Sequence, residues 1–196
     1  AAINREIDEF LGYDLVVLQY GLNIMQKGQR GYSNYRKQLC DMIAYAERCF
    51  PDAAILVLGV SDRWVKNEES GRFEPIGSVD ALTSYQRAAA DSCNVVFWNT
   101  SRVMNNLGGM PAFVSNGWAA KDYTHINYAG GREIGRELYY AFLQGAQNYS
   151  RAWRERIERQ QPIISEPMEG LEPLATAPIG GATPIIKADS TANMPQ

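Results

Sequence analysis

A chain of 196 residues is long enough for one full domain and too short for two large ones. With 45% hydrophobic and 21% charged residues it has the composition of an ordinary globular protein. Its net charge of −3 and absence of any Lys/Arg block give no support for a nucleic-acid partner or an anionic membrane surface. The apolar runs are far shorter than the ~20 residues of a membrane span. The opening Ala1-Ala2-Ile3-Asn4-Arg5-Glu6 lacks the basic start and apolar core of a signal peptide. The chain is therefore either cytosolic or carries its export signal upstream of Ala1.

Three short apolar runs, rich in Val, Ile and Leu, read as buried parallel strands covered on both faces: Asp14 to Tyr20, Ala54 to Gly59 and Asn94 to Trp98. Helical patterns alternate with them. Tyr32 to Phe50 places Tyr35, Leu39, Met42, Ile43 and Ala46 at helical spacing and stops at Pro51. Val79 to Cys93 is Ala-rich and opens on Ser78 as a candidate N-cap. Gly130 to about Gln160 carries Ile134, Leu138, Phe142, Tyr149, Trp153 and Ile157 on one stripe, and its charged end projects into solvent. This alternation predicts a doubly wound α/β sandwich with a parallel sheet and right-handed crossovers. After Trp153 no aromatic residue follows, and six of the nine prolines fall from Pro162 on. Residues 1–160 thus read as the folded part and 161–196 as a linker or an extended arm. Cys40, Cys49 and Cys93 are odd in number, show no C-x-x-C spacing and read as buried free thiols. No metal site or cofactor is expected.

His125, the only histidine, follows Asp122 by three residues on a loop just before a helix. An Asp at that spacing can turn back onto one imidazole nitrogen and leave the other free to take a proton from a nucleophile. A hundred residues earlier, Gly21-Leu22-Asn23 closes a strand. In open parallel sheets ligands bind at the carboxyl ends of strands, so the two motifs can converge there.

Together these residues resemble the SGNH (GDSL-type) esterases: Gly21-Leu22-Asn23 is similar to their third conserved block and Asp122-Tyr123-Thr124-His125 to their fifth. The run Gly117 to Asn127 followed by Gly130-Gly131 looks closest to the branch with bacterial peptidoglycan O-acetylesterases. The resemblance covers roughly Asp14 to Gln144, and it implies a three-layer flavodoxin-like sandwich with N-terminal strands missing from this chain. It implies that His125 is the general base toward a serine and that Asp122 fixes the imidazole tautomer. Asn23 would donate to the oxyanion and Gly21 leave room beside the acyl group. It also implies a periplasmic or extracellular setting and an acylated carbohydrate as substrate, such as cell-wall glycan.

The family's Gly-Asp-Ser block has no counterpart here. None of Ser33, Ser61, Ser70, Ser78, Ser84, Ser92, Ser101 or Ser115 stands in a matching context, and Ser61, past a strand end, is the least implausible substitute. The family's first strand pairs with the strand that here is Asp14 to Tyr20. Residues upstream of Ala1, or a separate chain, are therefore expected to complete the sheet and supply the serine. Alone, residues 1–196 should associate and hydrolyse no ester. The other reading is a non-catalytic carbohydrate- or partner-binding domain that keeps the cleft without the nucleophile.

Plainer roles stand beside these. His125 could be a structural histidine and Asn23 a turn residue. Trp64, Phe113 and Trp118 could stack on a sugar ring or serve as lid or core aromatics. Arg63 and Lys66 read as solvated charges, and Gly108-Gly109 as a mobile loop or a connector.

Overall fold

The protein is described by a computed structural model covering residues 2–160; the expected arm 161–196 lies outside the described residues. Two compact units divide the chain between Tyr149 and Ser150. In chain order the elements are α1 (Ala2–Leu11), β1 (Leu15–Gln19), a 3-10 turn (Leu22–Ile24), α2 (Ser33–Cys49), β2 (Ala54–Leu58), β3 (Trp64–Lys66) and β4 (Phe73–Pro75). There follow α3 (Val79–Ser92), β5 (Val96–Trp98), α4 (Thr100–Asn106), α5 (Gly109–Ser115) and α6 (Tyr128–Gln160). The helix of Tyr32 to Phe50 ends as read, because Phe50 before Pro51 is pushed out of helical geometry (φ −133°, ψ 69°).

β1, β2 and β5 form a parallel sheet in that order, with Val17 opposite Leu56 and Leu56 opposite Val96. One face is packed: Val16, Leu18, Ile55, Val57 and Phe97 meet Leu39, Ile43 and Ala46 of α2 and Ala89 and Ala90 of α3. The other face is not. Leu56 is 1% exposed, but its row neighbours Val17 and Val96 are 46% and 57% exposed. The expectation that every strand is covered on both faces therefore fails for β1 and β5, because no described element stacks over those positions. β1 is also an edge strand. On α1, Ile3, Ile7 and Leu11 stand exposed at i, i+4 and i+8, one helical face without a partner among the described residues.

Three features escape the sequence reading. α1 docks on α2 through Asn4 Nδ2 to the Tyr45 hydroxyl (3.2 Å) and Arg5 to the Arg48 carbonyl (3.1 Å). β3 and β4 pair antiparallel in a hairpin of three residues a side, too short for a periodicity signal. α4 is capped by Asn99, whose side chain accepts from Arg102 N–H at 3.0 Å. Of the two roles read for Gly108-Gly109, the geometry matches the connector: both are at positive φ and lead directly into α5.

Ser78 occupies the N-cap position of α3 but does not cap it. Its φ/ψ of −113°/−8° is helical rather than the extended geometry of a capping residue, and its buried hydroxyl has no partner among the described residues. Cys49 is buried, whereas Cys40 and Cys93 are half-buried, and none of the three is in a disulfide. Burial, with a hydrogen bond to Cys40, pushes the Cys93 thiol up to about 11.

Candidate active site

The His125 loop is built almost wholly from its own residues. Ala119 bridges Ile126, Ala120 N–H donates to the His125 carbonyl (2.7 Å), and Tyr123 N–H to the Ala120 carbonyl (3.1 Å). The reversal puts Tyr123 at φ +56°, a left-handed conformation unfavourable for a residue with a bulky side chain. Its ring stacks on Phe73 (centroids 4.1 Å, planes 17° apart), and its carbonyl accepts from Trp64 N–H at 3.0 Å, so contacts from the hairpin hold the strained residue.

That turn folds Asp122 back onto His125. Asp122 Oδ1 accepts the backbone N–H of Thr124 (2.9 Å) and of His125 (3.1 Å), while Oδ2 lies 2.7 Å from His125 Nδ1. With Oδ2 on Nδ1, the proton is fixed there and Nε2 is left as the basic nitrogen. The His125 hydrogen bond, followed by the two backbone N–H groups, lowers the Asp122 carboxyl to about 2. The pair is open to solvent, with the side chains 70% and 50% exposed. Among the described residues nothing bonds Nε2, and no serine hydroxyl reaches it.

Behind the loop, Asn127 anchors the helix that carries it. Its side chain donates to the Gly117 carbonyl (2.7 Å) and accepts from Gly130 N–H (3.1 Å) as the cap of α6. Gly130 must be glycine, because a Cβ there would run into the Trp118 carbonyl.

Asn23 is presented differently. β1 ends in Gly21 at φ +113°, which starts the 3-10 turn Leu22–Ile24. A Cβ on Gly21 would meet the Tyr35 hydroxyl at 2.9 Å and Gln86 Nε2 at 3.2 Å, so only glycine fits. Gln86, fully buried on α3, ties the strand ends together. Its Nε2 donates to the Tyr20 carbonyl (2.8 Å), and its Oε1 accepts Val60 N–H (3.0 Å). The Tyr35 hydroxyl also donates to the Tyr20 carbonyl, at 3.1 Å. Nothing in the sequence marks these two residues, whose partners lie 15 to 66 positions away. Asn23 itself is exposed and bonds no described residue. It lines a cleft of about 480 Å3 with Gly21, Tyr35, Leu39, Val60 and Ser61.

His125 does not line that cleft. One dipeptide joins the two motifs: Arg63 donates to the Leu22 carbonyl (3.2 Å), and Trp64 N–H donates to the Tyr123 carbonyl (3.0 Å). Both motifs therefore stand beside β3, at the end of the sheet where β1 and β2 finish. Arg63 is not the solvated charge that its sequence context suggests, since it is half-buried and holds the Asn23 turn. Lys66 is exposed. Phe113 is fully buried core, Trp118 packs edge-on against it (5.3 Å), and Trp64 stays half-exposed. Ser61 is buried in the Asn23 cleft with no hydrogen bond to His125.

No protein-family model and no curated protein matches the chain. Among solved structures, one described as a peptidoglycan O-acetylesterase in action is similar over 76% of this chain, at 23% identity and a TM-score of 0.63. The match takes in 42% of that chain, so the present sequence spans less than half its length. A GDSL-like lipase structure from Parabacteroides merdae covers 68% of this chain and 63% of its own, at 17% identity and a TM-score of 0.45, too distant to carry weight. No helix among the described residues is long and apolar enough to cross a membrane. Over the matched part, the chain has an SGNH/GDSL esterase-type fold.

Proposed function

We propose that this chain supplies the base, its orienting carboxylate and one oxyanion donor of a serine ester hydrolase that removes O-acetyl groups from a carbohydrate such as cell-wall glycan. The observation that carries the reading is the Asp122–His125 pair at 2.7 Å, coupled through Arg63-Trp64 to the Asn23 turn at the same end of a parallel sheet. The likeness in fold to a peptidoglycan O-acetylesterase supports the substrate class and a setting outside the cytoplasm.

In this reading Nε2 of His125 takes the proton of a serine hydroxyl as its oxygen attacks the acetyl carbonyl carbon. The carbonyl electrons move onto oxygen, where Asn23 Nδ2–H donates to the oxyanion; one such donor contributes about 3–4 kcal/mol. The imidazolium returns the proton to the leaving sugar oxygen. Water then attacks the acetyl-serine with His125 again as base, releasing acetate and restoring the serine. Asp122, lowered to about 2, stays ionised at neutral pH and stabilises the imidazolium without accepting its proton.

The serine comes from a strand outside residues 1–196, in the same polypeptide or a separate chain, paired with the open edge of β1. The exposed Val17 and Leu15, together with the bare apolar face of α1, are the surface such a segment would cover. The alternative, a binding domain without a nucleophile, is favoured by the absence of any serine partner on Nε2 among the described residues. Acetate release decides between them. The full-length protein should free acetate from O-acetylated glycan, lose that activity in His125→Ala, and act poorly on long-chain esters. Glycan binding without acetate release would leave the binding-domain reading standing.

A further inference from the structure

We propose that a second cavity, bounded by Asp62, Trp64, Asn105 and the Gly108-Gly109 connector, is a subsite for a neutral pyranose ring. It would hold the sugar next to the acetylated one. The inference rests on the reading above for the chemistry next door, and on the cavity itself for the ligand. Its volume of about 640 Å3 falls within the ~300–1,000 Å3 of small-molecule sites.

Asp62 forms its floor. The residue is only 7% exposed, and one oxygen, Oδ2, is committed to the fold: it accepts Met110 N–H at 2.8 Å and the Trp64 indole N–H at 3.2 Å. Among the described residues no group bonds Oδ1, yet Oδ1 is not sealed off. A carboxylate this deep is costly unless its oxygens are satisfied, so the open one is poised to accept a charge-assisted bond from a hydroxyl donor. The Gly109 backbone passes close to both polar side chains, since a Cβ there would stand 3.3 Å from Asp62 Oδ2 and from Asn105 Oδ1.

The rest of the lining selects the ligand class. The half-exposed Trp64 supplies an aromatic face for the apolar C–H side of a sugar ring, and Asn105 supplies an amide donor and acceptor for paired hydroxyls. Arg30 and Asp80, both exposed, put opposite charges in the lining. An anion such as phosphate would meet the Asp62 and Asp80 carboxylates, and among the described residues no three His, Cys, Asp or Glu side chains gather here to hold a metal ion. A neutral polyhydroxyl ring meets neither obstacle.

The position fits a polymer. Ser61 lines the Asn23 cleft and its neighbour Asp62 lines this cavity. Trp64 N–H is bonded to the loop that carries His125. Adjacent residues of one segment thus border both places, as consecutive sugars of one glycan would require.

The test uses a β-1,4-linked N-acetylglucosamine tetrasaccharide, without acetyl esters, titrated into the full-length protein while the Trp64 indole N–H resonance is followed. The expected result is a saturable shift of that resonance in the wild type and, by isothermal titration calorimetry of wild type and variants alike, binding weakened about five- to tenfold in Asn105→Ala and more in Trp64→Leu. In parallel, the ratio of kcat/KM for the O-acetylated tetrasaccharide to that for 4-nitrophenyl acetate should fall about tenfold in both variants, with thermal unfolding confirming that each is folded. No shift, or equal affinity in wild type and both variants, overturns the subsite. If the tetrasaccharide moves Trp64 but no ester is hydrolysed, the subsite stands and the esterase reading falls. If esters are hydrolysed and the ratio is unchanged, the reverse holds.

Discussion

The two motifs of the candidate site are held in opposite ways. The Asp122–His125 pair is fixed by bonds within four consecutive residues, with both carboxylate oxygens engaged inside the loop. The Asn23 turn makes few bonds of its own and is held from outside, by Gln86, Tyr35 and Arg63 acting on Tyr20 and Leu22. The proposed base is therefore positioned by local chemistry, whereas the proposed oxyanion donor is positioned by tertiary packing at an edge strand with one bare face. A site built this way has a half held mainly within its own loop, the self-sufficient half, and a half that depends on partners distant in the chain.

Breaking the self-sufficient half should have the largest effect. In the full-length protein His125→Ala should lower kcat for a chromogenic acetate ester by on the order of 10^4 to 10^6, and Asp122→Asn by about 10^4, since the amide would favour the wrong tautomer. Steady-state kinetics read both, and a loss under tenfold for His125→Ala would remove it from the mechanism.

The dependent half should show a smaller effect on turnover. Asn23→Ala is expected to reduce kcat by about 10^2 to 10^3 with little change in KM. Gln86→Leu, which touches nothing in the cleft chemistry, should lower kcat in the same direction by releasing the Tyr20 carbonyl and Val60 N–H from their shared anchor. If Gln86→Leu changes stability alone, the Asn23 turn is held by something else.

This difference also governs what the sequence discloses. The Asp-x-x-His pair is legible because its partners are three residues apart and the turn between them is local. β1, β2, β5, α2, α3 and α6 are legible from periodicity and from stops such as Pro51. Gln86 and Arg63 are not, because a glutamine in an Ala-rich helix and an arginine after a strand carry no local mark of partners 26 to 66 residues away. The bare face of β1 is equally hidden: an apolar run predicts burial, and whether a layer covers it depends on chain beyond the strand. The β3–β4 hairpin and α4 are too short for a periodic signal.

The two faces of the sheet offer a stability comparison. Ile55→Ala, on the packed face, should cost about 2–5 kcal/mol, and Val17→Ala, on the bare face, should fall within about 0.5 kcal/mol in residues 1–196 alone. Denaturant unfolding measures both, and light scattering should show less self-association for Val17→Lys than for the unaltered chain. Equal costs at the two positions would mean that the bare face is covered.

The smallest expected effect is with pH. Asp122 lies at about 2 against an ordinary 3.8, so its contribution to loop order is complete above about pH 4 and fades as pH falls toward 2. A carboxyl 13C titration should find its midpoint near 2, and Asp122→Asn should flatten the loop's pH response in that window. Because the pair is exposed, the change in global stability should be slight.

The central claim, that His125 activates a serine lying outside residues 1–196, is tested most directly by labelling the full-length protein with a fluorophosphonate and mapping the modified residue by mass spectrometry. The account predicts a single labelled serine outside this span, with labelling lost in His125→Ala. Label on Ser61 or another serine within the span, or a labelling rate indifferent to His125→Ala, would contradict it.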